Sequence, residues 1–174
     1  MMIEEVVESA NNNIHALSNA WDVYYHLCTE KAWDLGSYNI IQKKISCIEE
    51  VLFLSELINE QFLKKCMFFV MRTGITPQWE DPKNRNGGCF SLKIHFKHVE
   101  SVWKRVLFAS CGECIFIDAK NQKTFNGVTI SPKKNFCIIK IWMSDCTVQD
   151  ASSLLPIENM NLSGCLFNKH EPEF

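Results

Sequence analysis

Thr73-Gly74-Ile75-Thr76-Pro77-Gln78-Trp79-Glu80-Asp81-Pro82-Lys83-Asn84-Arg85-Asn86-Gly87-Gly88 runs straight into Cys89-Phe90-Ser91-Leu92-Lys93-Ile94-His95-Phe96. The first part is dense in turn formers and reads as a long exposed loop. In the second part Phe90, Leu92, Ile94 and Phe96 alternate with Ser91, Lys93 and His95. That period of two marks a strand with one buried face. Val99, Val102, Trp103, Val106 and Leu107 then recur at helical spacing, and Gly112 reads as the helix stop.

Working outward, Trp21, Val23, Tyr25 and Leu27 alternate with Asp22, Tyr24 and His26, a second strand, and residues 38–43 are a weaker strand candidate. Ser46 and Glu49 have capping-box spacing ahead of Ile48, Val51, Leu52 and the apolar run 54–58, which predicts a helix there. Further strands are expected around residues 114–118, 127–131, 136–143 and 164–168, with a short helix from Thr147 to Pro156. Strands outnumber helices, and the helices fall singly between them. The pattern predicts an α+β fold, an antiparallel sheet with helices packed on one face. Residues 1–13 read as a flexible acidic and polar leader, and 14–174 as one domain without repeats or low-complexity tracts.

Composition narrows the function classes. With 47% hydrophobic and 22% charged residues the chain is of ordinary globular type. Its net charge of −2 argues against a general nucleic-acid binder, so any nucleic acid must be recognised through one local feature. The nine cysteines are odd in number and scattered, and residues 1–9 do not read as a secretory signal. Reduced thiols in a cytosolic setting are therefore expected, and no apolar run approaches a membrane span.

The chemistry concentrates at Trp79-Glu80. A tryptophan in a polar turn exposes a large apolar surface unless something stacks on it. A neighbouring carboxylate can accept two parallel hydrogen bonds from a planar donor edge, and guanine offers one in N1–H and its 2-amino group. Trp33, between Ala32 and Asp34 in another loop, also lies outside any periodic pattern. Two loop tryptophans can close on a flat base, or both rings can fold back onto the core. From Ala119 to Met143 there are five lysines (Lys120, Lys123, Lys133, Lys134 and Lys140) and no acid, a local excess that suits phosphates or forms a solvated basic loop. If Ile139 and Ile141 face the core, then Ile138, Lys140 and Trp142 share the opposite face.

Residues 74–88 resemble the signature loop of eukaryotic translation initiation factor 4E. The stretch from His15 to Trp21 is similar to the start of that family's first strand, with Ala16 where proline is usual, and residues 48–52, 103–113 and 139–142 also fit. The resemblance spans roughly residues 14–170 and implies a curved antiparallel sheet, a cupped hand, with about three helices on its convex face. It implies that a 7-methylguanosine mRNA cap stacks between Trp33 and Trp79, that Glu80 reads the guanine, and that Trp142 lies beside the N7-methyl group. Methylation makes the base cationic, so an indole sandwich gains a cation–π contribution that plain guanine lacks.

On the phosphate side, Lys133 stands where the family usually has arginine and Asn135 where it usually has lysine, with Lys134 and Lys140 as compensating cations. On the convex face Leu52 stands in place of a tryptophan that holds partner helices, and Lys104 replaces an apolar contact. Ile48, Glu113 and His15 still fit the partner surface, while ordinary helix core is the competing reading for Ile48 and Leu52. The resemblance thus implies a cytoplasmic, non-catalytic factor acting in translation initiation through a scaffold factor, or a cap-binding repressor or decoy with an altered partner surface. It implies no cofactor. The Cys111–Cys114 pair has redox spacing but sits at a helix end, with no second pair to complete a zinc site, so a thiol-redox role is the remote alternative. His15, His26, His95, His98 and His170 show no metal-ligand spacing and no nucleophile partner.

Overall fold

The computed structural model describes residues 14–171, and the expected leader, 1–13, lies outside them. The elements are β1 (Ala16–Leu27), β2 (Asn39–Cys47), α1 (Ile48–Leu57), α2 (Glu60–Leu63), β3 (Cys66–Arg72), β4 (Gly88–His95), α3 (Val99–Cys111), β5 (Phe125–Pro132), β6 (Phe136–Met143) and β7 (Leu166–Lys169). One seven-stranded sheet has the order β2-β1-β3-β5-β6-β4-β7, and every neighbouring pair is antiparallel. Register shifts between β1 and β2 and at Phe125/Gly127 curve it. The expected α+β class holds.

Alternation assigns the two faces. Trp21 and Val23, Phe68 and Val70, Phe90 and Leu92, Val128 and Ile130, and Ile139 and Ile141 form one core with the helices. Val51, Leu54 and Ile58, then Leu63, then Val102, Trp103 and Val106 cover that face. The opposite face carries a smaller layer of Tyr24, Phe69, Met71, Ile75 and Trp142, with Tyr38 and Met67 against it.

Some sequence expectations fail, each for a physical reason. β3 was not expected: Cys66-Met67-Phe68-Phe69-Val70-Met71 is apolar throughout because both its faces are covered, so it shows no alternation. The expected strand at residues 114–118 is a single bridge, Phe116 to Leu154, and the helix from Thr147 is one 3-10 turn at Ala151–Ser153. The Ser46–Glu49 capping box does not form. Cys47 is the N-cap, Glu50 accepts the Ser46 N–H at 2.8 Å, and Glu49 turns to His15 Nδ1 at 2.7 Å. The family-like Gly87-Gly88 pair has a steric cause, since a Cβ on Gly87 would overlap the Met143 carbonyl and one on Gly88 would crowd Phe167 and the Asn168 carbonyl.

Arg72, at the end of β3, ties sheet to helix. Its Nη1 and Nη2 donate to the two oxygens of Glu113 at 2.7 and 2.6 Å, and its Nε donates to the Phe125 carbonyl at 2.6 Å. The guanidinium lies 5.0 Å from the centre of the Trp21 ring, and the paired side chains are only 18% and 19% exposed. Replacing Arg72 by leucine strands the Glu113 carboxylate with its second donor, Asn19, alone. Urea unfolding of Arg72→Leu is expected to show a loss of about 2–4 kcal/mol, and the Arg72→Leu/Glu113→Leu double variant a smaller one.

Candidate functional site

Two loops rise over the open face of the sheet, one between β1 and β2 bearing Trp33, the other between β3 and β4 bearing Trp79 and Glu80. Between them lies a cavity of about 780 Å³, floored by Phe69, Met67, Thr129 and Trp142 and walled by Trp33, Tyr38, Trp79, Glu80 and Lys140. The sequence-derived quartet Trp33, Trp79, Glu80 and Trp142 therefore meets at one place. The alternative in which both loop tryptophans fold back into the core does not hold, since Trp33 is 52% and Trp79 37% exposed.

The β3–β4 loop is long but cross-braced. Asp81 accepts from the Thr76 N–H and hydroxyl at 2.7 and 2.8 Å and from the Lys83 N–H at 2.8 Å. Asn84, fully buried, donates to the carbonyls of Thr76 and Gln78 at 2.9 and 2.8 Å and accepts from Asn126 at 2.9 Å. A buried amide with this many partners fixes the path of the backbone on both sides of Trp79. Gln78 then reaches across the cavity mouth and donates to the Trp33 carbonyl at 3.1 Å, joining the two loops.

Each wall has an aromatic backing that sequence reasoning missed. Trp33 lies against His26, ring centres 4.2 Å apart and planes 1° apart. Trp79 lies against His170, centres 5.5 Å apart and planes 14° apart, and His170 also meets Trp142 at 4.9 Å. His170 is held by a bond of 2.8 Å from Nδ1 to the Asn84 carbonyl. Burial holds its imidazole below the ordinary histidine value, and the Lys140 charge adds to this, against the opposing pull of the Asn84 bond and Glu80. No local motif signals these histidines; only the fold brings residue 26 to 33 and residue 170 to 79.

The polar groups differ in availability. Glu80 is exposed, and among the described residues nothing hydrogen-bonds its carboxylate. Tyr38, also missed, is pushed up to about 12 by burial and by the Glu80 charge, so its hydroxyl stays a donor in the cavity. Trp142 is 4% exposed and donates from Nε1 to Thr129 Oγ1 at 3.2 Å, which turns its ring into the floor. Of the three lysines singled out for phosphate, Lys140 lines the cavity, 5.5 Å from the centre of the Trp79 ring. Lys133 and Lys134 sit exposed on the turn between β5 and β6, outside the lining.

The partner-surface residues also separate. Ile48 and Leu52 are exposed on α1 at 44% and 50%, beside Phe53 at 67%, so helix core is not their role. His15 is exposed and bound to Glu49, whereas Glu113 is turned inward to Arg72 and Asn19. Lys104 is ion-paired with Glu56 and Glu100 at 2.8 and 3.3 Å. The Cys111 thiol is buried and pushed up to about 12 by desolvation, the reverse of a reactive thiolate. No group of three or more metal-ligating side chains occurs among the described residues.

Residues 16–166 match the family model described as Eukaryotic initiation factor 4E. A eukaryotic translation initiation factor 4E homolog of Acanthamoeba polyphaga mimivirus is 32% identical over 101 residues, covering 50% of this chain and 37% of its own length. Eukaryotic translation initiation factor 4E of Candida glabrata is 26% identical over 148 residues, covering 80% of this chain and 68% of its own. The chain thus spans well under half of the viral relative. Among solved structures, C. elegans eIF4E-3 in complex with the 4E-binding protein Mextli and a cap analog shares the fold, with a TM-score of 0.68 at 19% identity over 78% of this chain and 77% of that one. The match runs from the first residue of β1 to the first of β7, taking in both loops of the cavity, and the chain belongs to the eukaryotic initiation factor 4E family.

Proposed function

We propose that this chain binds the 7-methylguanosine 5′ cap of mRNA in the cavity and acts in translation initiation in the cytoplasm, without catalysis. The observation that carries the reading is the pairing of two exposed indoles with an unengaged carboxylate around one cavity. Membership of the family and the cap analog in the C. elegans complex support it. The methylated base stacks between Trp33 and Trp79, where its positive charge meets two ring faces and the Glu80 anion. Glu80 accepts from guanine N1–H and the 2-amino group. Trp142 adjoins the N7-methyl group. Lys140 takes the first phosphates, and Lys133 and Lys134 attract the rest of the chain as point charges.

The partner docks on the helix-covered side. Ile48, Leu52 and Phe53 offer exposed apolar surface on α1, with His15 beside it through its bond to Glu49. Such a surface suits the apolar face of a partner helix, from an initiation scaffold factor or a repressor. The inward pairing of Glu113 and the ion-paired Lys104 favour a partner of altered sequence, and with it the second reading, a cap-binding repressor or decoy.

Three measurements test these assignments. Tryptophan fluorescence should be quenched by 7-methyl-GTP at concentrations where GTP has little effect, a selectivity of about 30-fold or more. Trp79→Ala and Glu80→Gln should each weaken 7-methyl-GTP binding by at least about tenfold, and an unchanged affinity for either would overturn the site. Leu52→Asp should leave that affinity intact while abolishing co-purification of the convex-face partner on cap resin; the partner's identity, scaffold or repressor, then divides the two readings.

The acid limb of stability reports on the Trp79 wall. A histidine held low in the fold is neutral there while the unfolded chain takes up a proton, so its stabilisation is complete above the ordinary value of about 6.5. It is lost progressively as pH falls from there through the lowered folded value. Glu49, held down to about 2 chiefly by the His15 bond, acts in a separate and more acidic window. Thermal unfolding between pH 7.5 and 5.5 should therefore show a falling midpoint in the native chain and a flatter profile in His170→Phe.

A further inference from the structure

Trp33 sits on the loop between β1 and β2 and is half exposed, yet its ring is held by its neighbours. His26 stacks on it nearly parallel, 4.2 Å between centres, and Tyr38 meets both rings edge-on at 6.3 and 5.4 Å. Tyr38 in turn stands edge-on to Phe69 at 5.2 Å, which links this wall to the sheet floor. The backbone of the loop is pinned as well, because Glu30 accepts from the N–H groups of Lys31 and Ala32 at 2.8 and 2.9 Å.

His26 joins the two restraints. It is fully buried on β1, with Nε2 2.8 Å from the carbonyl oxygen of Ala32, the residue before Trp33. A carbonyl can only accept, so Nε2 carries the hydrogen, and this fixes the ring's orientation. The same side chain thus clamps the backbone of the Trp33 loop by its edge and the indole by its face. Its other nitrogen, Nδ1, is buried without a hydrogen-bond partner among the described residues, which costs stability. A phenylalanine would stack as well without that cost. What the histidine adds is the bond to Ala32.

We propose that His26 is a positioning residue of the clamp, presetting Trp33 in its base-stacking orientation before any ligand arrives. The ordering of that wall is then met on folding rather than on binding, and affinity rises by the cost avoided. The proposal rests on the cap-binding reading for its effect on affinity, but the state of Trp33 in the free protein can be read without any ligand.

The test uses His26→Ala, which removes stack and hydrogen bond, and His26→Phe, which removes only the hydrogen bond. In protein labelled with 5-fluorotryptophan, the Trp33 fluorine resonance is assigned by its loss in Trp33→Phe. It should be single and sharp in the native chain, and shifted and broadened in His26→Ala while the buried Trp103 resonance stays put. Affinity for 7-methyl-GTP should fall in the order native, Phe, Ala, with His26→Ala lower by about 2- to 12-fold, the range of one aromatic pair. In a Trp33→Ala background the His26→Ala factor should vanish. An unchanged Trp33 resonance in His26→Ala, or an affinity loss that persists without Trp33, would overturn the proposal. Failure of the native chain to bind 7-methyl-GTP would sink the cap reading instead, leaving the fluorine spectrum to decide the role of His26.

Discussion

An apolar sheet face must be covered, and this sheet has two of them. Helices α1, α2 and α3 cover one. The other carries Tyr24, Phe69, Met71 and Trp142, and among the described residues it is overlain by the two long loops and by the C-terminal segment at His170. Loops cover a sheet less completely than helices, because their own backbone groups must find partners as they cross it. The gap they leave is an aromatic cavity with polar rims. The site is thus the part of the second face that the described residues leave open, and β3, apolar toward both sides, is the strand that carries a core on each face.

A loop that builds half a cavity has to be rigid, and Asn84 supplies much of that rigidity here. Its amide holds the Thr76 and Gln78 carbonyls, its side-chain oxygen accepts from Asn126 on β5, and its own carbonyl accepts from His170 after β7. Strand, loop and C-terminal segment are therefore joined through one residue. Removing that amide would take its donor from the Thr76 and Gln78 carbonyls and its acceptor from Asn126, a cost beyond one hydrogen bond. Gln78 extends the brace to the opposite wall through the Trp33 carbonyl.

The sequence disclosed features that repeat a local rule. β4 alternates because one of its faces packs on helices, and α1 and α3 show helical spacing for the same reason. Trp79-Glu80 stood out because a loop gives a tryptophan no local reason to be there. β3 left no period to read, since a strand buried on both sides looks like any apolar run. The false strand at 114–118 and the false helix at 147–156 came from apolar residues that pack irregularly near Leu154. His26, His170, Tyr38 and Asn84 were invisible for another reason. Each acts through a contact set by tertiary structure, and a histidine on an alternating strand looks the same whether it faces water or an indole.

Charge gives the cavity a direction. Glu80 stands by Trp79 on one wall, while Lys140 rises from β6 toward the same indole. A capped nucleotide has the matching polarity, a cationic base joined to an anionic phosphate chain. Reversing it in the slot would set phosphate against carboxylate and methylated base against ammonium, so under the proposed cap-binding role two side chains would fix the orientation of entry without reading any sequence. Lys140 over the Trp79 ring is itself a cation–π contact. The Trp79 ring thus already faces a positive charge, and in the proposed complex a methylated base stacking there would replace one cation by another. In the proposed complex such an exchange would leave the ammonium for phosphate, and the two halves of recognition would be linked through a single tryptophan.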